Sequence, residues 1–192
     1  AIDIYQGKCV RLNQGEFSQS KTYFENPVDA AKQWFDQGAQ WLHLVDLDGA
    51  LQGKPVNVKA IEAIMTTVDL PVEIGGGIRT QETAEIFLTL GAGRIVLGSI
   101  MQEDPDLVQI LFAKYPDRIA LGIDAKEGKL AIRGWQEQTD LDALSLPTGA
   151  KLAYDLGKNP VVLFTNDWSA DYFAKTNERV PLSSLPVQTA RE

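Results

Sequence analysis

Two short runs of this chain place the same chemistry-bearing residues at the same offsets. Ile2-Asp3-Ile4-Tyr5-Gln6-Gly7-Lys8 and Ile123-Asp124-Ala125-Lys126-Glu127-Gly128-Lys129 share Ile, Asp, Gly and Lys, and the second run begins 121 positions after the first. In each, an apolar run ends in an Asp, a glycine-containing turn follows, and a short β-like run leads to an arginine, Arg11 or Arg133. Matching carboxylates in two repeats can supply a general acid and a general base to opposite sides of one substrate. An Asp after a strand can also simply cap or turn the chain.

A second kind of chemistry lies between them. Gly75-Gly76-Gly77-Ile78-Arg79 falls between a strand-like and a helix-like segment, and Gly98-Ser99 follows the next strand in the same way. Glycines let backbone N–H groups come close to an anion. A following helix N-terminus adds partial positive charge, and Arg79 adds a full one. Two such loops on neighbouring strands predict a phosphate cradle formed by Gly76, Gly77, Arg79, Gly98 and Ser99. Glycine runs also serve tight turns alone.

Other chemistries lack their parts. The chain has one histidine and one cysteine, so neither a zinc site nor a Ser/His or Cys/His nucleophile has its usual partners. His43, within Trp41-Leu42-His43-Leu44-Val45, reads as a packed strand residue rather than a catalyst. Cys9 cannot form an internal disulfide, which fits a reducing, cytoplasmic setting. The net charge of −8 argues against a nucleic-acid partner while leaving room for a local basic pocket. No apolar run reaches membrane-spanning length. The sequence starts at Ala1, without Met and already inside an apolar run, so an earlier targeting segment stays open.

The elements that must position these residues alternate. Strands are expected at the N-terminal run to Ile4, Trp41–Val45, Pro71–Ile74, Arg94–Leu97, Ile119–Ile123 and Pro160–Thr165. Cys9–Leu12 reads as a hairpin extension, and residues 13–26 as a polar loop. Between the strands, helices are expected to start at Asn26-Pro27, Asn57, Thr80 and Pro105. Their inward faces are predicted as Val28, Ala31, Trp34 and Phe35; Val58, Ile61, Ile64 and Met65; Ala84, Phe87 and Leu88; and Leu107, Ile110 and Leu111. Helical crossovers between short apolar strands mean a parallel sheet covered on both faces. The polar and glycine-rich residues all follow strand C-terminal ends, the functional face of a (β/α)8 barrel and also the ligand edge of an open doubly wound sheet. The half-chain repeat favours the barrel, as one domain of two half-barrel repeats over residues 1–118 and 119–192.

Beyond residue 140 the pattern weakens. Asp142–Leu156 has helix-like composition broken by Pro147 and Gly149, residues 169–177 suit a short helix, and residues 180–192 a loose tail. About six parallel strands are recognisable, so the barrel is expected to be incomplete.

Residues 1–140 resemble the HisA family, the phosphoribosylformimino-aminoimidazole carboxamide ribotide isomerases of histidine biosynthesis. The match is carried by Ala1-Ile2-Asp3-Ile4, Gly7-Lys8-Cys9-Val10-Arg11-Leu12 and Gln14-Gly15. It continues through Leu42-His43-Leu44-Val45-Asp46-Leu47-Asp48-Gly49-Ala50, Gly53-Lys54-Pro55-Val56-Asn57 and Gly75-Gly76-Gly77-Ile78-Arg79. Gly98-Ser99, Gly122-Ile123-Asp124-Ala125 and Arg133-Gly134-Trp135 complete it. The sister cyclase family shares the barrel and the paired Asp, but the Asp-Leu-Asp-Gly-Ala and Arg-Gly-Trp runs look like the isomerase.

The resemblance implies an Amadori rearrangement of an aminoaldose to an aminoketose on a bis-phosphorylated ribotide, without a cofactor. It implies Asp3 as base, Asp124 as acid, Trp135 stacking on the heterocycle, and Thr165 beside the acid. Arg11, Gly15 and Asp46 join the phosphate-loop residues as substrate-binding candidates. A relative that also isomerises phosphoribosylanthranilate, and a truncated remnant that binds phosphate without turnover, are the alternatives. The family's turn after strand six differs here, reading Thr165-Asn166-Asp167-Trp168 with no glycine. The repeat places a second phosphate cradle at 196–198 and 219–220, past Glu192. A complete barrel would be expected as a monomer, and a truncated one to associate through its open edges.

Overall fold

The computed structural model describes residues 1–13, 16–126, 129–132, 137–142 and 161–165. They fall into two compact units, Ala1–Val96 and Leu97–Glu192.

In the first unit, β1 (Ile2–Tyr5), β4 (Leu42–Asp46), β5 (Val72–Gly75) and β6 (Arg94–Leu97) are neighbours in that order. Each of these pairs is parallel, with Ile2 opposite Leu44, Leu44 opposite Ile74 and Ile74 opposite Ile95. Such strands need crossovers, and helices supply them: α1 (Pro27–Asp36), α2 (Leu47–Gln52), α3 (Val58–Thr67) and α4 (Gln81–Leu90). Strand alternation sorts the side chains. Ile2, Ile4, Leu42, Leu44, Val72, Ile74 and Ile95 are buried, with Ile61, Ile64, Ala84 and Phe87 supplied by the helices. Asp3, Tyr5, His43, Val45, Glu73 and Arg94 alternate with them and are only partly buried.

Local signals set the helix starts. Asn26 accepts from the Val28 N–H at 3.1 Å with Pro27 behind it, and Thr80 with Thr83 forms a capping box. Two expected helix faces are corrected. On α1 the buried residues are Pro27, Ala30 and Ala31, whereas Trp34 and Phe35 remain 38% and 46% exposed. The small alanines form the buried side of α1, which packs near α3, and the last-turn aromatics stay exposed. The expected loop at 13–26 is also corrected, because most of it is β3 (Glu16–Phe24), antiparallel to β2 (Lys8–Asn13). This ribbon is exposed on both faces, so it carries no period-two apolar pattern. Cross-strand pairing holds it, with Phe17 packed against Tyr5 at 5.4 Å between ring centroids.

The second unit contains α5 (Ile100–Glu103), α6 (Pro105–Lys114), β7 (Ile119–Lys126), β8 (Lys129–Ile132), β9 (Glu137–Asp142) and β10 (Val161–Thr165). Asp104 caps α6 by accepting from the Leu107 N–H at 3.0 Å. The inward face of α6 is Val108, Leu111 and Phe112, one residue away from the expected stripe, and Ile110 is 50% exposed. β10 runs parallel to β7, while β8 and β9 extend β7 as an antiparallel ribbon. Six strands therefore belong to parallel pairs or crossovers: four in the first unit and two in the second. Both units are α/β, and the fold is that of an incomplete (β/α)8 barrel among the described residues. The expected helix at 169–177, the tail at 180–192 and most of 142–156 lie outside those residues.

Candidate functional site

The polar face of the first unit gathers at the C-terminal ends of its strands. Asp3 lies on β1 between buried Ile2 and Ile4, opposite Val10 of β2 and Val45 of β4. Burial pushes its carboxyl above the usual carboxylate range, against the nearby charges of His43 and Arg11, which pull it down. The result is a more proton-hungry carboxylate than a solvated Asp.

Beside it lies a buried polar knot. Asp46, at the end of β4, is fully buried, and its carboxylate accepts from four donors. Gly49 N–H (2.8 Å) and Asn57 Nδ2 (2.6 Å) meet Oδ1, while the Val56 and Asn57 N–H groups meet Oδ2 at 2.7 and 2.9 Å. Asn57 precedes α3 but does not cap it. Its amide also donates to Asp48 Oδ2 at 2.8 Å and accepts from the Gly7 N–H at 3.1 Å. Asp48 in turn accepts from the Gln6 N–H at 2.6 Å. One amide and two carboxylates thus pin the β1–β2 turn to the loops on either side of α2. The substrate-binding candidate Asp46 has both oxygens engaged by this knot.

The glycine run packs against the same knot. Gly76 and Gly77 have φ of +104° and +75°. A Cβ on Gly76 would collide with the Asp46 carbonyl oxygen, and one on Gly77 would lie 2.6 Å from the Lys54 carbonyl carbon. Close backbone packing therefore requires these glycines, whatever anion they meet. Arg79 lies over the same loop, its Nη1 2.8 Å from where a Gly53 Cβ would be. We expect Gly76→Ala to destabilise the protein by about 3 kcal/mol, combining left-handed strain and overpacking. Gly98→Ala, where a Cβ meets nothing within 4 Å, should stay within about 0.5 kcal/mol of the parent. Urea midpoints of the two variants check both; equal midpoints would refute the packing role.

In the second unit, Gly98 and Ser99 precede α5, with Ser99 as its N-cap residue. Asp124 stands on β7 opposite Ala131 of β8 and Thr165 of β10. The pairing on β7 repeats that on β1. Asp3 is opposite the residue seven places on, Val10, and Asp124 is opposite the residue seven places on, Ala131. Lys8 and Lys129 close the two hairpins against Tyr5 and Lys126. Gly15 and Trp135 lie outside the described residues.

This strand-and-hairpin register is repeated with an Asp at each matching point. Residues 1–162 match the family described as histidine biosynthesis protein. The chain belongs to that family. Relatives within it include an imidazole-4-carboxamide isomerase from Gloeothece citriformis, 53% identical over 146 residues, covering 76% of this chain and 57% of the relative. Isomerases of the same name from Acaryochloris marina (51% identical over 146 residues, 76% of this chain and 57% of the relative) and Crocosphaera subtropica (47% over 162 residues, 84% and 62%) also match. By their names these relatives act on a compound with two phosphoribosyl groups. The chain spans 57–62% of the length of these three family members. Among the described residues, no helix is long and apolar enough to cross a membrane and no cluster of three or more His, Cys, Asp or Glu could hold a metal ion.

Sequence reasoning passed over Asn57 as a helix start and Asp48 as part of a motif. The available signal was their company: two acids, a glycine and an Asn within twelve residues at one strand end. Glu73 and Arg94 gave none, since a lone charge in an apolar strand shows no partner until strands are aligned.

Proposed function

We propose that the protein is an aldose–ketose isomerase of histidine biosynthesis, acting on the bis-phosphorylated aminoimidazole carboxamide ribotide by Asp/Asp acid–base catalysis. The observation that carries this reading is the identical hairpin register around Asp3 and Asp124 in a chain about half identical to named isomerases. Asp124 donates a proton to the ribose ring oxygen, the C1′–O bond breaks, and a protonated Schiff base forms between C1′ and the amine. Asp3 then takes the C2′ proton to give a neutral enolamine, the C2′ hydroxyl loses its proton as C1′ gains one, leaving the aminoketose, and exchange with solvent returns both carboxyls to their starting states. Atoms and electrons balance, so the reaction requires no cofactor. The raised proton affinity of Asp3 suits a base that must remove a carbon-bound proton.

In this reading Gly76, Gly77, Arg79, Gly98 and Ser99 hold a substrate phosphate, and Arg11, Gly15, Trp135 and Thr165 contact the rest. Asp46 supports the loops that carry these groups. The two half-barrel repeats, 1–118 and 119–192, each supply one acid. The test is conversion of the aminoaldose ribotide by the natural full-length protein, followed by product analysis. Turnover supports the isomerase; tight phosphate binding without turnover would replace it with a binding protein. Comparable turnover of phosphoribosylanthranilate would broaden the substrate range.

A further inference from the structure

The turn behind Asp3 is held from outside its own hairpin. Gln6 and Gly7 join β1 to β2 with φ of +51° and +75°, and Tyr5 faces Lys8 across them. Two consecutive left-handed residues suit the twist of a two-residue hairpin, but the first position ordinarily takes Asn, Asp or Gly. Gln6 instead has a Cβ and a long side chain to accommodate there. Both turn residues are exposed, yet each backbone N–H meets a buried acceptor. The Gln6 N–H donates to Asp48 Oδ2 at 2.6 Å, and the Gly7 N–H donates to Asn57 Oδ1 at 3.1 Å. Asp48 and Asn57 are only 9% and 8% exposed, and Asn57 Nδ2 donates to the same Asp48 oxygen at 2.8 Å. A non-glycine residue kept at positive φ by distant side chains has its conformation imposed by its surroundings.

The strand that this turn closes carries Asp3. On the β4 side, β1 is paired only as far as Ile4, opposite Asp46. Past that point Tyr5 has β2 alone, and the other neighbour of β2 in the sheet is the exposed strand β3. Val10, opposite Asp3, and Arg11 after it ride on this arm, so the position of the arm decides what surrounds the carboxyl. We propose that Asp48 and Asn57 are positioning residues for the base: by clamping the Gln6-Gly7 turn they keep β2 in register beside Asp3. This role rests on the reading of Asp3 as the base and gives neither residue a contact with substrate. Through Asp46, which shares the Asn57 amide, the clamp also reaches the backbone against which Gly76 packs. The turn behind the base and the glycine loop proposed for phosphate thus rest on one set of side chains.

Amide hydrogen exchange in the natural full-length protein, followed by NMR, reads the clamp directly. Asp48→Ala should speed exchange at Gln6 and also at Val10, while the amides between β4 and β5 hold their rates. Gly7→Ala leaves the clamp untouched, because its Cβ meets nothing within 4 Å, but forces a side chain to positive φ. It should speed the same amides by about 5- to 30-fold. Asp48→Asn keeps an oxygen for the Gln6 N–H and should stay near the parent. In the isomerase assay Asp48→Ala should lower kcat by about 10–10²-fold with KM little changed, and Asp48→Asn should not. An unaccelerated Val10 amide in both folded variants overturns the inference whatever the assay shows. So does parental kcat in Asp48→Ala, or an Asp48→Asn loss as large as that of Asp48→Ala, which would make the carboxylate itself a participant. Accelerated Val10 exchange in a protein whose parent shows no turnover upholds the clamp and counts against the isomerase reading instead.

Discussion

Asp3→Asn is expected to lower isomerase turnover by about 10²–10⁴-fold in the full-length protein while leaving it folded. Asparagine preserves the shape on β1 and the pairing with Val10 and Val45 but cannot take a proton. Stability should move the other way. Because burial raises the Asp3 carboxyl, the folded state disfavours its ionised form. That cost is absent below the ordinary carboxylate range and grows as pH rises through the elevated folded value. Asparagine carries no such cost, so the variant should equal or exceed the parent's stability at neutral pH, and any gain should vanish in acid. Paired measurements of turnover and urea midpoint at neutral and acidic pH check both. Near-parental turnover would remove Asp3 from the mechanism; lost turnover with a collapsed midpoint would mean the residue is structural. Asp124→Asn should lose turnover comparably, since the acid step is then unsupported.

The two Asp residues were legible in the sequence because the repeat is local. Each lies a few residues before a glycine turn and a hairpin, and the aligned registers of β1–β2 and β7–β8 follow that spacing. The strand-and-helix alternation was legible for the same reason, with Asn26, Thr80 and Pro105 each marking a helix start. The exposed ribbon β3 was not, because pairing with β2 holds it without a buried face. Nor was the main constraint on Gly76 and Gly77. In sequence a glycine run suggests room for an anion; in the fold the nearest obstacles are the backbones of Asp46 and Lys54. His43 reads correctly as a packed strand residue, but its Glu73 and Arg94 partners come from strands about thirty and fifty residues away. Long-range pairing of this kind has no local signature.

Asp46→Ala is expected to be the most destabilising substitution in the first unit. The Asp46 carboxylate is buried and satisfies four donors: the N–H groups of Gly49, Val56 and Asn57, and the Asn57 side-chain amide. Each buried donor left without a partner costs about 1–3 kcal/mol. Even if water entering the vacated space serves some of them, the loss should reach about 4 kcal/mol, a large share of the roughly 5–15 kcal/mol that holds a typical domain together. The damage should also spread. Asn57 would lose one anchor of the amide that joins Asp48 and Gly7, loosening the turn after Asp3. Asp46→Asn should be milder, since it keeps the volume and one acceptor oxygen but turns an NH2 group toward existing donors. Urea unfolding should therefore rank the parent above Asp46→Asn and Asp46→Ala last, with hydrogen exchange accelerating first at Gly7, Gly49 and Val56. A parental midpoint in Asp46→Ala would show that the carboxylate does not hold the knot and would return Asp46 to the substrate-contacting group.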